Sequence, residues 1–136
     1  MAAAKSLVFM LIEVLIFFCF FSMSAVAATG TATYYSPLYT PSACYGYKNE
    51  GVMIAAASNA IWENDGACGR KYRVRCLSGK NKGVEKPCKP NQNVVVTIVD
   101  FCPPPGCHGT IYLSQEAFQS IADLDAGVIN IDFQQL

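Results

Sequence analysis

The most continuous run of apolar positions in the C-terminal half of the chain is Asn93-Val-Val-Val-Thr-Ile-Val-Asp-Phe-Cys-Pro103. Valine and isoleucine favour extended backbone, and a run without polar alternation predicts a strand that is covered on both faces. The prolines at 103–105 cannot donate to a sheet, so the strand is expected to stop there. Asp100 would then lie at a strand end, where it either caps a turn or faces a ligand beside the adjoining loop.

Two segments near the ends of the folded part alternate with a period of two and predict strands over 29–35 and 128–133. The residues that share one face are Thr31, Thr33 and Tyr35 in the first strand, and Ile129, Ile131 and Phe133 in the last.

A third alternating segment, Arg70–Cys76, predicts a half-buried strand with a basic outer face. Such a face usually serves solubility and protects a sheet edge, although it could also meet an acidic wall polymer such as pectin. The inward residues are Tyr72, Val74 and Cys76, and the outward ones are Lys71, Arg73 and Arg75.

Two short helices complete the predicted elements. The small-residue stretch Ala55-Ala-Ala-Ser-Asn-Ala-Ile-Trp62 indicates a helix from about 55 to 62, with Trp62 as a packing residue rather than a platform for a sugar. Ser114 is typical of an N-cap and Glu116 of a first turn, so a second helix is expected to run to about Ala122. Its apolar face consists of Ala117, Phe118 and Ile121.

The first 27 residues follow a different pattern, which is that of a secretory signal peptide. Lys5 supplies a positive charge, the stretch to Met23 is apolar except for Glu13, and Ala25-Val-Ala27 fits a signal peptidase site. A membrane anchor is the alternative, and it is disfavoured by Glu13 and by the cleavage signal that follows at once. Residues 28–136 are then expected to form one domain, with no membrane association after cleavage.

The net charge of the chain argues against some classes of partner. The chain has ten basic and ten acidic residues, and the leader contains one of each, so the mature chain is formally neutral. No overall field favours nucleic acid or an acidic membrane.

Six of the seven cysteines lie beyond the leader, which is typical of disulfides in a small secreted domain. Zinc is the competing interpretation, but His108 is the only histidine and close ligand spacing is confined to Cys102-Pro-Pro-Pro-Gly-Cys107. No metal or cofactor is therefore expected. Six cysteines allow fifteen pairings, among which spacing does not choose.

Six short motifs occur in order along residues 32–118. They are Ala32-Thr-Tyr-Tyr35, Ala43-Cys-Tyr-Gly-Tyr47, Ala67-Cys-Gly69, Tyr72-Arg-Val-Arg-Cys76, Val96-Thr-Ile-Val-Asp-Phe-Cys-Pro103 and Leu113-Ser-Gln-Glu-Ala-Phe118. Together they resemble the N-terminal domain of expansins and in particular the plant natriuretic peptide-like, or endoglucanase-45-like, proteins. The resemblance implies a mostly β fold, a six-stranded double-psi β-barrel with short helices and three disulfides, related to barwin. The implied pairings are Cys44–Cys68, Cys76–Cys88 and Cys102–Cys107.

The resemblance also implies a polar groove, and two departures within it bear on catalysis. Related hydrolases carry a base two residues after the tyrosine that matches Tyr35, where this chain has Pro37. Their acid lies in a His-Phe-Asp-Leu-Ser motif, and here Tyr112 replaces the aspartate. Because inverting glycoside hydrolysis needs two carboxyl groups, no catalytic residue is assigned and no enzyme is expected. The groove residues implied as ligand-binding candidates are Thr33, Tyr35, Asp100 and Tyr112.

The function implied by this resemblance is that of a secreted, non-catalytic protein of the apoplast. Such proteins are linked to systemic water and solute homeostasis and to stress or defence responses, and residues 42–76 match the region associated with signalling. The expected partner is a cell-surface receptor or a wall polysaccharide, and the protein is expected to be a monomer. The alternatives are a polysaccharide-binding protein of the wall and a weak glycan-active enzyme. A barwin-like ribonuclease is disfavoured because one histidine cannot supply paired-histidine chemistry.

Overall fold

Six strands close into a barrel in the part of the chain that the computed structural model describes, namely residues 8–10, 13, 27–81, 83 and 85–136. The strands are β1 (Ala28–Tyr35), β2 (Ile54–Ala57), β3 (Lys71–Gly79), β4 (Asn93–Phe101), β5 (Ile111–Ser114) and β6 (Ile129–Gln135). Between residues 27 and 136 the described helices are α1 (Asn59–Trp62) and α2 (Gln115–Ile121), and a 3-10 turn spans Leu124–Ala126.

Around the barrel the strand order is β1-β5-β2-β4-β3-β6, and β6 returns to β1. The pairs β1·β5 and β2·β4 are parallel, whereas the other four pairs are antiparallel. The predicted six-stranded β-barrel with short helices is therefore confirmed.

The leader predicted for residues 1–27 lies almost wholly outside the described residues, so it stays a prediction. Among the residues described, no helix is long and apolar enough to cross a membrane.

Strand β3 shows the predicted alternation. Tyr72 and Val74 are buried in the barrel, and Lys71, Arg73 and Arg75 are exposed on its outer surface. In β1, Ala32 is buried and the ring of Tyr34 packs 4.9 Å from that of Phe118, so Thr31, Thr33 and Tyr35 lie together on the outer side.

Strand β4 differs from the expectation that both of its faces are covered. Val94, Val96 and Ile98 are buried in the core, but Val95 between them is 39% exposed. A closed barrel has an interior and an exterior, and the exterior of β4 is covered only where another segment lies on it. That cover is the loop of residues 36–53, whose Cys44 N–H donates to the carbonyl of Val99 at 2.9 Å.

The predicted helix from about 55 to 62 is wrong over its first half. Ile54–Ala57 is strand β2, hydrogen-bonded to β4 on one side and β5 on the other, and only Asn59–Trp62 is helical. Two neighbouring strands supply tertiary pairing that outweighs the helix preference of alanine. Trp62 is buried with its ring stacked 4.8 Å from Phe101, as expected for a packing residue.

The second predicted helix is confirmed with its cap. The Ser114 hydroxyl accepts the Ala117 N–H at 3.0 Å, and Glu116 occupies the first turn, where a negative charge is favoured. Ala117, Phe118 and Ile121 are buried, so α2 attaches its apolar face to the barrel.

Two of the three predicted disulfides are present. Cys44–Cys68 attaches the 36–53 loop to the segment after α1, and Cys76–Cys88 joins β3 to the loop before β4. The third pair differs from the prediction, because Cys102 and Cys107 are free thiols. They lie close enough to hydrogen-bond, and burial together with Cys107 raises the pKa of Cys102 to about 12. A bridge between them stays a prediction.

Removal of the Cys76–Cys88 bridge should lower stability. Replacing both cysteines with alanine is expected to cost about 2–4 kcal/mol, because the unfolded chain regains the freedom that a short closed loop removes. Thermal unfolding followed by circular dichroism should show a fall in Tm of roughly 4–8 °C for each kcal/mol.

The matched control is Arg73→Ala, an exposed change on the same strand that should leave Tm nearly unchanged. Intact mass of the secreted protein gives the number of bridges beforehand, with six hydrogens lost for three bridges and four for two. An unchanged Tm in the double variant would contradict a stabilising role for this bridge.

Candidate functional site

Three of the four predicted groove residues lie in one row across four neighbouring strands. Thr33 of β1 is opposite Tyr112 of β5, Tyr112 is opposite Ala56 of β2, and Ala56 is opposite Asp100 of β4. With neighbouring strands about 4.8 Å apart, the row covers about 14 Å of the barrel wall. Sequence order gave no direct sign of this row, because its members come from segments far apart in the chain.

A β-bulge turns Asp100 toward the row. Along the β2·β4 pair, Ala55 is opposite Ile98 but Ala56 is opposite Asp100, so Val99 is an extra residue in β4. Ile98 faces the core, and strict alternation would have pointed Asp100 inward as well. The bulge places Asp100 on the outer surface instead, as such irregularities often do beside functional sites.

The Asp100 carboxylate also attaches the 36–53 loop to the barrel. Its Oδ1 accepts the N–H of Ala43 at 3.0 Å and the N–H of Phe101 at 2.9 Å. Asp100 therefore has one of the two roles expected for it, since it fixes a turn, and its side chain remains partly exposed; ligand binding by Asp100 stays a prediction.

Tyr35 lies two residues beyond Thr33 on the same face of β1, near Asp100. Its hydroxyl is shielded from solvent, and no hydrogen-bond partner for it is found among the described residues. Burial raises the pKa of Tyr35, and the charges of Asp100 and Tyr39 raise it further. The phenol thus stays protonated, and it is a buried donor without an acceptor among the described residues.

Tyr112 and Thr33 are already engaged by neighbouring segments. The Tyr112 hydroxyl accepts the backbone N–H of His108 at 2.6 Å, and burial raises the pKa of this phenol. The Thr33 hydroxyl donates to the carbonyl of Gly127 at 2.7 Å. Both hydroxyl groups are therefore used within the protein, whereas Asp100 is partly exposed at the β4 end of the row.

A second carboxylate near the groove was missed by sequence reasoning, which assigned Glu116 only to the start of a helix. The ring of Tyr39 meets that of Tyr35 edge-on at 5.1 Å, and the Tyr39 hydroxyl donates to Glu116 at 2.5 Å. Burial and this hydrogen bond raise the pKa of Tyr39 to about 12. The available signal was the position of Glu116 two residues after β5, the strand that carries Tyr112.

In the described part of the chain, no group of three or more histidine, cysteine, aspartate or glutamate side chains could hold a metal ion. The chemistry of the groove therefore consists of phenols, a hydroxyl and two carboxylates, which can donate to and accept from a polar ligand.

Comparison with known proteins shows both the fold and the family. A family model described as Lytic transglycolase, of the double-psi β-barrel type, matches residues 54–133. An EG45-like domain containing protein of Citrus jambhiri is 56% identical over 117 residues, which is 86% of this chain and 88% of that protein. EG45-like domain containing protein 2 of Arabidopsis thaliana is 46% identical over 107 residues, 79% of each chain.

Expansins are more distant relatives. Expansin-A26 of Oryza sativa subsp. japonica is 34% identical over 97 residues, which cover 67% of this chain but 29% of the expansin. The structure of apo-expansin from Clavibacter michiganensis matches with a TM-score of 0.61 and 25% identity, over 82% of this chain and 50% of that one. A mutant of the same expansin, in complex with cellohexaose, matches with a TM-score of 0.57.

A third solved structure, the Streptomyces papain inhibitor, has a TM-score of 0.53 and 28% identity, and the match covers 94% of that chain. The barrel alone is thus shared with that inhibitor, and it corresponds to only part of an expansin. The high identity over nearly the full length of the plant relatives places this chain in the double-psi β-barrel family of EG45-like domain containing proteins, which is related to the expansins.

Proposed function

We propose that this is a secreted, non-catalytic protein of the plant cell wall whose groove binds a polysaccharide chain. The observation that carries the proposal is the shielded Tyr35 hydroxyl, a donor without a partner among the described residues, beside the Asp100 carboxylate. A buried polar group of this kind costs free energy until a ligand satisfies it. A sugar hydroxyl can donate to the partly exposed carboxylate, and it can accept from the phenol once the side chains that shield this hydroxyl move aside.

Support for a neutral glucan as ligand comes from the related bacterial expansin, a mutant of which was solved in complex with cellohexaose. The row from Thr33 to Asp100 is about 14 Å long, which suits an extended chain of a few sugar units rather than a single small molecule. The proposed location is extracellular, as the sequence of residues 1–27 predicts and as a wall-related family suggests.

The two positions at which related hydrolases carry their base and acid hold no carboxylate in this chain. An inverting hydrolase holds a protonated acid and an ionised base on opposite faces of the sugar, about 6.5–9.5 Å apart. Pro37 has no carboxylate, and the phenol of Tyr112, whose pKa is raised, is bonded to the His108 backbone. Glu116 accepts the hydrogen bond of Tyr39. These observations favour binding without hydrolysis.

A role in water and solute homeostasis or in stress and defence signalling is the second candidate. The 36–53 loop, which includes part of the region associated with signalling, exposes large apolar side chains: Leu38 (90% exposed), Tyr47 (83%), Val52 and Met53. Exposed apolar groups gathered on one loop are typical of a surface that contacts another protein. A protein of the same fold, the Streptomyces papain inhibitor, is named as an inhibitor of another protein. The proposed partner is a cell-surface receptor that binds the protein as a monomer.

Tyr35→Phe should weaken binding of cellohexaose or soluble β-glucan by about two- to tenfold, since one hydrogen bond is worth about 0.5–1.5 kcal/mol. Isothermal titration calorimetry provides the measurement. Because the pKa of Tyr35 is raised, the phenol remains a donor in alkaline solution, so affinity should not fall between neutral pH and about pH 10, the ordinary tyrosine pKa.

The control is Tyr47→Phe, which also removes a tyrosine hydroxyl, but from the exposed 36–53 loop. It should leave the affinity for glucan unchanged. Equal affinities for wild type and Tyr35→Phe would overturn the assignment of Tyr35 to the glycan site.

The purified protein should release no reducing ends from soluble cellulose derivatives or β-glucan during long incubation. Loss of general acid and base assistance costs about 10²–10⁴-fold for each group, which puts turnover below ordinary detection. Asp100→Asn and Glu116→Gln are the controls for the two carboxylates near the groove. Sugar release by the wild type that disappears in either variant would show that the groove is catalytic.

The signalling candidate predicts that nanomolar protein changes protoplast volume and that Leu38→Asp with Tyr47→Asp abolishes the change, because charge is costly at an apolar protein contact. Asp100→Asn should leave the response intact. A response lost with Asp100→Asn but kept in the loop variant would place signalling in the groove instead.

A further inference from the structure

The outer face of β3 has a row of cations that the groove does not use. Lys71, Arg73 and Arg75 alternate with core residues, so they project from one side of the strand about 6.6 Å apart. Arg75 pairs with Asp132 of β6, and its side chain stays 61% exposed. Lys71 and Arg73 have no ion-pair partner among the described residues.

The strands on either side add little negative charge. Across the β3·β4 pair the cations are opposite Thr97, Val95 and Asn93, none of which is charged. Across the β3·β6 pair Arg73 is opposite Gln134 and Arg75 is opposite Asp132. On these three strands the three cations therefore share the surface with one acidic side chain, although residues 28–136 as a whole are formally neutral.

A cleft of about 520 Å³ continues the basic row beyond Arg75. It lies between the end of β3 and the segment of residues 88–93, and none of its lining residues is acidic. Its second cation is Lys89, whose ammonium group donates to the carbonyl of Gln119. The amide side chains in the lining are Asn91, Gln92 and Asn93.

We propose that this basic row and the cleft beside it bind an anionic polysaccharide, a polymer of uronic acid units. A straight row of cations matches carboxylates repeated along an extended chain, and amide side chains can bond to both the carboxylates and the hydroxyls of such a chain. Val95, at the centre of the surface and 39% exposed, offers an apolar contact to the ring of a sugar.

Other anionic polymers fit this surface less well. Single-stranded nucleic acid is usually held by bases stacked on aromatic side chains, and the outward residues of β3 include none. Binding to an anionic membrane is usually strengthened by several apolar groups that insert into the bilayer, whereas the described part of this surface and its cleft exposes two large apolar side chains, Val95 and Leu77, each by less than half.

The basic row is separate from the polysaccharide groove. The groove row crosses β1, β5, β2 and β4. Its middle, on β5 and β2, lies two or three strands from β3, and its Asp100 end lies on β4, next to β3 but five residues beyond Val95. The proposal therefore does not depend on the groove, and the two sites can be tested independently.

The experiment measures binding of the mature protein to polygalacturonate at low and at high salt, by affinity electrophoresis or calorimetry. Lys71→Gln with Arg73→Gln should weaken binding about tenfold at low salt, because each exposed ionic contact is worth a few-fold in affinity and is screened by salt. Thermal unfolding checks that the variant is folded. Lys48→Gln with Lys80→Gln removes two exposed charges elsewhere and should leave binding unchanged.

Retained β-glucan binding by the Lys71→Gln/Arg73→Gln variant, and retained polygalacturonate binding by Tyr35→Phe, would show that the two sites are independent. The proposal is overturned if polygalacturonate does not bind at low salt, or if both double variants lose the same affinity. It is also overturned if single-stranded DNA or vesicles of anionic lipid bind more tightly than polygalacturonate.

Discussion

The site depends on one backbone irregularity, the bulge at Val99. Its extra residue breaks the alternation of β4, so that Ile98 faces the core while Val99 and Asp100 both lie on the outer side. The 36–53 loop is attached at this point through the Val99 carbonyl and the Asp100 carboxylate, and the Cys44–Cys68 bridge holds it from the other side. Barrel wall, loop and groove thus meet at one place in β4, and a regular strand would leave the carboxylate buried and the loop without its attachment.

Sequence patterns predicted those parts of the fold whose signals are local. The alternation of β3 and the Ser114 cap of α2 depend on neighbouring residues, and both are present as expected. Strand β2 could not be predicted, because Ala55–Ala57 are extended only through pairing with two strands that are distant in the sequence. The bulge at Val99 left no local signal, since valine suits an extended strand with or without it.

The residues of the candidate site were named from the sequence, whereas their arrangement was not. The family motifs indicated Thr33, Tyr35, Asp100 and Tyr112, but the engagement of Thr33 and Tyr112 within the protein depends on hydrogen bonds to Gly127 and His108. Tyr112 illustrates the point. In place of a carboxylate, the chain has a neutral phenol that anchors the backbone of the 102–108 loop, so the substitution exchanges an acid for a structural contact. The contact between Tyr39 and Glu116 could not be predicted, because it forms only where the 36–53 loop packs against α2.

Closure of six strands has a consequence for how the protein could act in a wall. In a ring of six, β5 is diametrically opposed to β3, so the part of the groove row on β5 faces away from the basic row, while its Asp100 end on β4 lies beside β3. Two polymers of different chemistry could then lie on the barrel at the same time. Such a molecule would be a non-covalent bridge, in which weak contacts on each side reinforce one another once the first chain is bound. The protein would then couple a neutral polymer to an acidic one mechanically, without catalysing a reaction.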